Sequence, residues 1–412
     1  MFTRRTFLRS TLGGSSLLAL APTIPGFLAQ TARAAAPQRD GRVLVVIQLD
    51  GGNDGINTVV PFADPGYAKH RRELRLPADK LLKLNREVGL HPAMGAAAKL
   101  WESGRLAVVQ GVGYPNPSRS HFKSMAIWQT ANVDLPRETA DSEDEQTRAA
   151  LGWLGKALDG RARPADGTPD LAFVGKEAVP VALRGRRSVA VDLTHPEELA
   201  LAGWADPKKA VAGVEGDSDL AAFVRRSTLD AYTSSDRVIG LLGGRDGPAR
   251  YPATALGGHL RIVARLIKGG IGTRVFYTIQ GSYDTHVYQL NRHAELLGEF
   301  AGAVGAFLDD LAGAKLAERV VVLAFSEFGR RVAENDSRGT DHGTAGPVFL
   351  AGWPVKGGLA GEAPRLLDLQ DGDLKMTVDF RRVYASVLDG WLGVPGKAVL
   401  GGERERIPLF DN

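Results

Sequence analysis

Cysteine is absent from this chain of 412 residues. That absence excludes a disulfide framework, a zinc–thiolate site and an iron–sulfur cluster, so any metal must be held by carboxylates, imidazoles and other oxygens. It is compatible with an oxidising compartment without requiring one. Histidine is scarce, with eight in the whole chain. No stretch is long and apolar enough for a transmembrane helix. A large charge excess is also missing, since 51 Lys and Arg face 47 Asp and Glu, a net charge of +4. Arg4, Arg5, Arg9 and Arg33 all lie in the first 34 residues, which hold no acid. The rest of the chain is therefore formally neutral, with 47 charges of each sign. With no basic stripe carrying interleaved aromatics either, nucleic acid is not an expected partner.

The first 34 residues read as a twin-arginine export signal. Arg4-Arg5 precede Thr6-Phe7-Leu8, a weakly apolar run follows from Leu12 to Ala21, and Ala32-Arg33-Ala34 offers small residues at alternate positions before a cut. The apolar run is too short, and too rich in Gly and Ser, to span a bilayer. The expectation is a protein handed to the twin-arginine translocation machinery and released into the periplasm or beyond, with no stable membrane span after cleavage. About 375 mature residues with 44% apolar content can bury a large core.

Along the mature chain, strands alternate with helices. Val43–Leu49 is a run rich in β-branched residues, of the kind buried on both faces of a parallel sheet. Leu106–Val112, Thr273–Gln280 and Arg319–Phe325 read as further strands, and Pro347–Gly352 as a short one. Helical patterns cover 91–104, 120–130, 219–242, 252–268, 289–311 and 379–392, the last with Asp379 as N-cap. Residues 133–148 are acidic and polar, and those from about 152 to 217 are rich in Pro and Gly. They read as an insertion or cap, with short strands at Leu171–Val174 and Val189–Val191. This alternation argues for an α/β domain with a mainly parallel sheet.

Polar residues gather at the ends of those strands. Asp50 closes the first strand. Ser118, Arg119, Ser120 and His121 follow the second. Asp284 and His286 lie just past Gln280, Ser326 and Glu327 directly follow Phe325, and Asp341 and His342 occupy the next loop. In open α/β sheets the ligand crevice lies at the carboxyl ends of the strands. Each element alone has a plainer explanation: a cap, a turn, or a Glu327 pairing with Arg330 or Arg331. Together they suit hard-metal chemistry. Carboxylates and neutral imidazoles bind Zn²⁺ or Mn²⁺, or Mg²⁺ or Ca²⁺ where oxygen dominates. One or two such ions can activate a hydroxyl for displacement at phosphorus or sulfur. A serine opening a helix also sits among free N–H groups that favour an anion, and Arg119 could clamp one.

The motifs Leu49-Asp50-Gly51-Gly52-Asn53-Asp54-Gly55, Pro115-Asn116-Pro117-Ser118-Arg119-Ser120-His121-Phe122, Tyr283-Asp284-Thr285-His286, Ser326-Glu327-Phe328-Gly329-Arg330 and Asp341-His342-Gly343 resemble successive blocks of an exported bacterial family known as domain of unknown function 1501. That family is placed in the alkaline-phosphatase-like superfamily, with sulfatases and cofactor-independent phosphoglycerate mutases. The resemblance implies a three-layer α/β sandwich with a mainly parallel central sheet and an inserted cap region. It implies a metal aspartate at Asp50, one metal site at Asp284, His286 and His342, and a nucleophile within Ser118–Ser120. Ser120 is the first candidate because it opens a helix, and Ser118 the second. Glu327-Phe328 stands where the superfamily usually has Asp-His for another metal. Glu327 can ligate and Phe328 cannot, so a single-metal or degenerate site is as compatible as a two-metal one. The position of the sulfatase nucleophile corresponds to Pro115, which excludes a formylglycine.

Two functional readings follow. One is an exported, metal-dependent hydrolase of phosphate or sulfate esters, with Asp50, Asp284, His286, Glu327, His342 and Asp341 as metal candidates. Its catalytic candidates are Ser120, Ser118, Arg119 and His121. The other is a non-catalytic envelope protein on a degenerate hydrolase fold, recognising a polysaccharide or a partner. A nicotinamide enzyme is disfavoured, because neither Gly51-Gly52 nor Gly111-Val112-Gly113 has the spacing of a dinucleotide fingerprint.

Overall fold

A computed structural model describes residues 41–135, 150–159, 169–186, 188, 190–193, 240–241 and 249–411. The export segment, the helix expected over 219–242 (apart from 240–241) and much of the expected insertion lie outside the described residues. The chain divides into two compact units, and the larger comprises residues 40–161, 170–194 and 245–412. The elements below belong to it.

Nine strands form its main sheet: β1 (Val43–Leu49), β2 (Leu106–Gly113), β3 (Leu171–Phe173), β4 (Ala190–Asp192), β5 (Val275–Gln280), β6 (Val320–Phe325), β7 (Gly346–Ala351), β8 (Gly358–Ala360) and β9 (Val378–Asp379). The order is β8-β2-β7-β6-β1-β5-β3-β4, with β9 also beside β2. β1 is central, parallel to β5 on one side and to β6 on the other. All seven of its residues are buried, as its predominantly apolar run requires. β7 alone runs antiparallel, against both β6 and β2. The two short strands read inside the expected insertion extend the sheet beyond β5.

Helices cover both faces. On one side are α1 (Gly95–Glu102), α4 (Ala255–Lys268) and α5 (Gln289–Gly313), which pack on one another. Leu100 of α1 and Val304 of α5 meet Val322 and Ala324 of β6 there. On the other side lie α2 (His121–Thr130), α3 (Trp153–Asp159) and α6 (Phe380–Ala385). Their Trp128, Trp153 and Tyr384 share a core with Leu44 and Val46 of β1 and Val321 and Leu323 of β6. The strand alternation that sends Leu323 to one face and Val322 to the other is the reason the sheet is covered twice. The α/β fold with a mainly parallel central sheet is thus as expected. Asp379 caps α6 by accepting the Arg381 N–H at 2.9 Å.

α2 is held hard against the sheet. The Trp128 ring stacks on Phe325 with centroids 5.0 Å apart, and the Tyr384 hydroxyl donates to the Trp128 carbonyl at 3.0 Å. That anchoring fixes the first residue of α2, His121, at the carboxyl edge of the sheet.

Candidate metal centre

The site stands where β1, β2, β5 and β6 end and β7 begins. Because β7 is antiparallel, the loop that precedes it lies at the same sheet edge as the loops that follow the others. This is how Asp341 and His342, on the amino side of their strand, reach the same place as Asp284 and His286.

Two glycines let these loops close. Gly51 has φ +114°, and a Cβ there would stand 2.5 Å from the Asp284 backbone nitrogen. Gly52 has φ +76°, and its Cβ would stand 2.4 Å from the Phe328 ring. Only glycine tolerates both the conformation and the approach.

Three imidazoles converge on one carboxylate oxygen. From Asp284 Oδ1, His286 Nε2 lies at 2.9 Å, His342 Nε2 at 3.1 Å and His121 Nε2 at 3.6 Å. The His286 and His342 Nε2 atoms are 3.0 Å apart. Donors held tetrahedrally at 2.0–2.1 Å from a Zn²⁺ ion would be about 3.3 Å from one another, so the spacing suits one ion. Each ring is oriented from behind. His342 Nδ1 donates to the Arg119 carbonyl at 2.7 Å. His286 Nδ1 faces Asp341 Oδ1 at 3.1 Å, and His121 Nδ1 faces Glu327 Oε1 at 2.7 Å. An acceptor at each Nδ1 leaves the Nε2 lone pair facing inward, the arrangement that prepares imidazole for a metal. His121 Nε2 is buried with no hydrogen-bond partner. The residues therefore fit a divalent ion: His121, Asp284 and His342 bring their ligand atoms within 4.8 Å of one another, and His286 Nε2 adjoins them at 2.9 Å from Asp284 Oδ1 and 3.0 Å from His342 Nε2.

The sequence candidates thus fall into layers. His121, read as catalytic beside Ser120, joins the inner group, while Phe328 packs its ring against His121 and His342, each at 4.9 Å. Glu327 stands behind. Its Oε1 accepts from His121 and from the Gly51 N–H at 3.0 Å, its Oε2 accepts from Ser326 at 2.9 Å, and its side chain is fully buried. Asp341 likewise orients His286 and is itself held by Asn335 Nδ2 at 3.1 Å. Asp50 accepts from Gln48 at 2.9 Å and lies within the field of Glu327. Neither serine hydroxyl hydrogen-bonds to the imidazoles among the described residues. Ser118 Oγ accepts the Ser120 N–H, and Ser120 Oγ caps no helix amide. The Arg119 guanidinium is engaged by Asp373.

Charges follow these contacts. Burial pushes the Asp284 carboxyl up, but the Arg330 hydrogen bond and charge prevail and hold it at about 2. The Glu327 bond raises His121 above the ordinary imidazole value, against burial. Burial lowers His342. Burial, and then the Glu327 charge, raise Asp50. Asp341 is lowered, first by the Asn335 hydrogen bond.

Two arginines were not legible as part of this centre. Arg330, which the sequence offers as a partner for Glu327, instead pairs with Asp284 at 2.6 Å. Arg71 forms a fully buried pair with Asp54 at 2.5 Å and donates to the Val332 carbonyl at 2.7 Å, tying the loop after β1 to the loop after β6. The sequence carries no signal for either role, because each guanidinium's acceptors come from distant loops. His293 lies beside this pair, 3.0 Å from Asn53 Oδ1.

No curated protein matches the chain. The PsFucS1 sulfatase from Pseudoalteromonas sp. aligns at 12% identity over 76% of this chain and 62% of its own, with a TM-score of 0.34. The lipoteichoic acid synthase LtaP from Listeria monocytogenes aligns at 10% identity over 85% and 78%, with a TM-score of 0.33. Ps i-CgsB in complex with k-i-k-neocarrahexaose aligns at 11% over 88% and 73%, with a TM-score of 0.33. The chain thus spans 62% of the length of the first of these, and at such scores the likeness carries nothing about a reaction. Residues 41–401 match the family described as Protein of unknown function (DUF1501), and the chain belongs to that family.

Proposed function

We propose that this protein is a metal-dependent hydrolase of phosphate or sulfate esters, exported by the twin-arginine route to work in the cell envelope. The observation that carries this reading is the convergence of three Nε2 atoms on Asp284 Oδ1, each ring held at Nδ1 by an acceptor. Three imidazoles and one carboxylate favour Zn²⁺ or Mn²⁺ over Mg²⁺ or Ca²⁺, which prefer oxygen. Such an ion, when bound, supplies a Lewis acid for an ester oxygen and lowers the pKa of a hydroxyl beside it.

The chain's own groups do the rest. Arg330 keeps Asp284 ionised, and Glu327 and Asp341 hold their imidazoles in place. Ser120 opens α2 immediately before His121 and has no capping bond to break, which makes it the first candidate for the attacking hydroxyl. The inner group is open to solvent, with Asp284 47% and His286 38% exposed. Phe122, Val287 and Tyr288, next in sequence to His121 and His286, are exposed apolar residues. Rings of that kind suit the faces of sugars, which favours an envelope polysaccharide ester over a bare anion.

The test combines metal content with turnover of aryl phosphates and aryl sulfates. Asp284→Ala should lose the metal, and Ser120→Ala should keep it while losing turnover. Metal-loaded wild-type protein that turns over neither class of ester would sink the hydrolase reading. It would leave the second reading, a non-catalytic envelope binding protein, which the serine hydroxyls' lack of hydrogen bonds to the imidazoles favours.

A further inference from the structure

The guanidinium of Arg330 is wholly buried, and five oxygens close around it. Nε donates to the Gly52 carbonyl at 2.7 Å and Nη1 to the Thr340 carbonyl at 2.8 Å. Nη2 reaches the Gly51 carbonyl, the Tyr283 carbonyl at 3.2 Å and Asp284 Oδ1 at 2.6 Å. Four carbonyls and a carboxylate around one positive charge are the donor set of a hard cation such as Ca²⁺. This cage shares Asp284 Oδ1 with the imidazole group. Two-metal centres hold their ions about 3.5–4 Å apart, so the cage lies where a neighbouring ion would be found.

We propose that Arg330 is the permanent second cation of this centre. His121, Asp284, His286 and His342 take one ion, and the guanidinium fills the oxygen cage in which another would bind. The inference rests on the metal reading above and sets the number of ions. Of the other candidate ligands, Glu327 has both oxygens in hydrogen bonds, Asp341 is held by Asn335 and His286, and Asp50 Oδ1 accepts from Gln48. A guanidinium cannot exchange with solvent or be chelated, so one of the two cations at this centre is independent of metal supply. Arg330 is a positioning residue in this account. It also ties together the loops that follow β1, β5 and β6, because its acceptors belong to the first two and to the segment leading to β7.

Equilibrium dialysis of the full mature protein against excess Zn²⁺, followed by elemental analysis, should give one ion per chain. Two ions per chain would overturn this inference and leave the metal reading standing, whereas none would overturn both. Arg330→Ala should open the cage. Its melting temperature should fall, and it should recover when low millimolar guanidinium or Ca²⁺ is added, while the same additions leave the wild type unmoved. Equal responses from the two proteins would contradict the cage assignment. If the alanine variant does not fold, the wild-type stoichiometry still decides.

Discussion

Glu327→Gln removes a charge without removing a shape. Oε1 of Glu327 accepts from His121 Nδ1 at 2.7 Å and from the Gly51 N–H at 3.0 Å. An amide oxygen can keep both bonds, and the amide nitrogen can face Ser326. What disappears is the negative charge behind the imidazole. Charge-assisted hydrogen bonds are roughly twice as strong as neutral ones. Losing such a partner behind a metal-binding histidine costs about 10–100-fold in metal affinity, or about 1.4–2.8 kcal/mol. The same bond raises the affinity of His121 for a proton. In the variant that affinity falls, so protons compete less with the metal and part of the loss is offset in mild acid. The deficit should therefore be larger near about pH 8 than near about pH 6, on either side of the ordinary histidine value. A chromophoric chelator titrated against Zn²⁺ at both pH values reads this, with thermal unfolding as the control for the fold. Equal affinities of variant and wild type at the higher pH, both folded, would refute the role given to Glu327.

Three more outcomes are expected. Gly51→Ala forces a Cβ to within 2.5 Å of the Asp284 nitrogen at a φ of +114°. It should cost about 1–3 kcal/mol of stability and weaken metal binding, and an unchanged melting curve with unchanged affinity would contradict the close approach. Burial lowers the His293 pKa from 6.5 to about 4. The stability it contributes is full above the ordinary value and falls on the order of 3 kcal/mol as pH drops from about 6.5 to 4. Burial also acts to raise Asp54, but the Arg71 charge and hydrogen bond hold it at about 2, so its contribution is lost only as pH falls below about 4 towards 2. Denaturant unfolding of metal-free protein across this range should show both losses, and His293→Gln should flatten the upper one; a variant with the wild-type slope there would count against it. Replacing Arg4 and Arg5 together by Lys should retain the protein in the cytoplasm, and fractionation that still finds it exported would remove the twin-arginine reading.

The sheet was legible because β1, β2, β5 and β6 are predominantly apolar runs, and their ends could be read to within two residues. The direction of β7 was not. The Pro347–Gly352 run reads the same either way, and its pairing with β6 and β2 is a long-range fact. The site motifs were legible as a set, since Asp, Glu, His and Ser recur after strand after strand. Their layering was not. Asp284, His286 and His342 were read as one group, but whether a carboxylate ligates or orients depends on depth, and depth is set by packing. Thus Glu327 and Asp341 stand behind imidazoles, and His121 comes forward because Trp128 pins α2 against Phe325. Phe328 explains itself only in space, as a wall for two imidazoles supplied from elsewhere in the chain. Arg330 stood in a motif but was paired with Glu327 rather than Asp284, and Arg71 had no pattern to announce it, because a buried guanidinium is recognised by its acceptors and those come from several loops.

X-ray absorption at the zinc edge of the mature, Zn²⁺-loaded protein tests the central claim most directly. The account predicts three imidazole nitrogens and one carboxylate oxygen at about 2.0–2.1 Å, with one imidazole lost in His342→Ala. A zinc environment without imidazole scattering, or a protein that takes up no zinc, would contradict it.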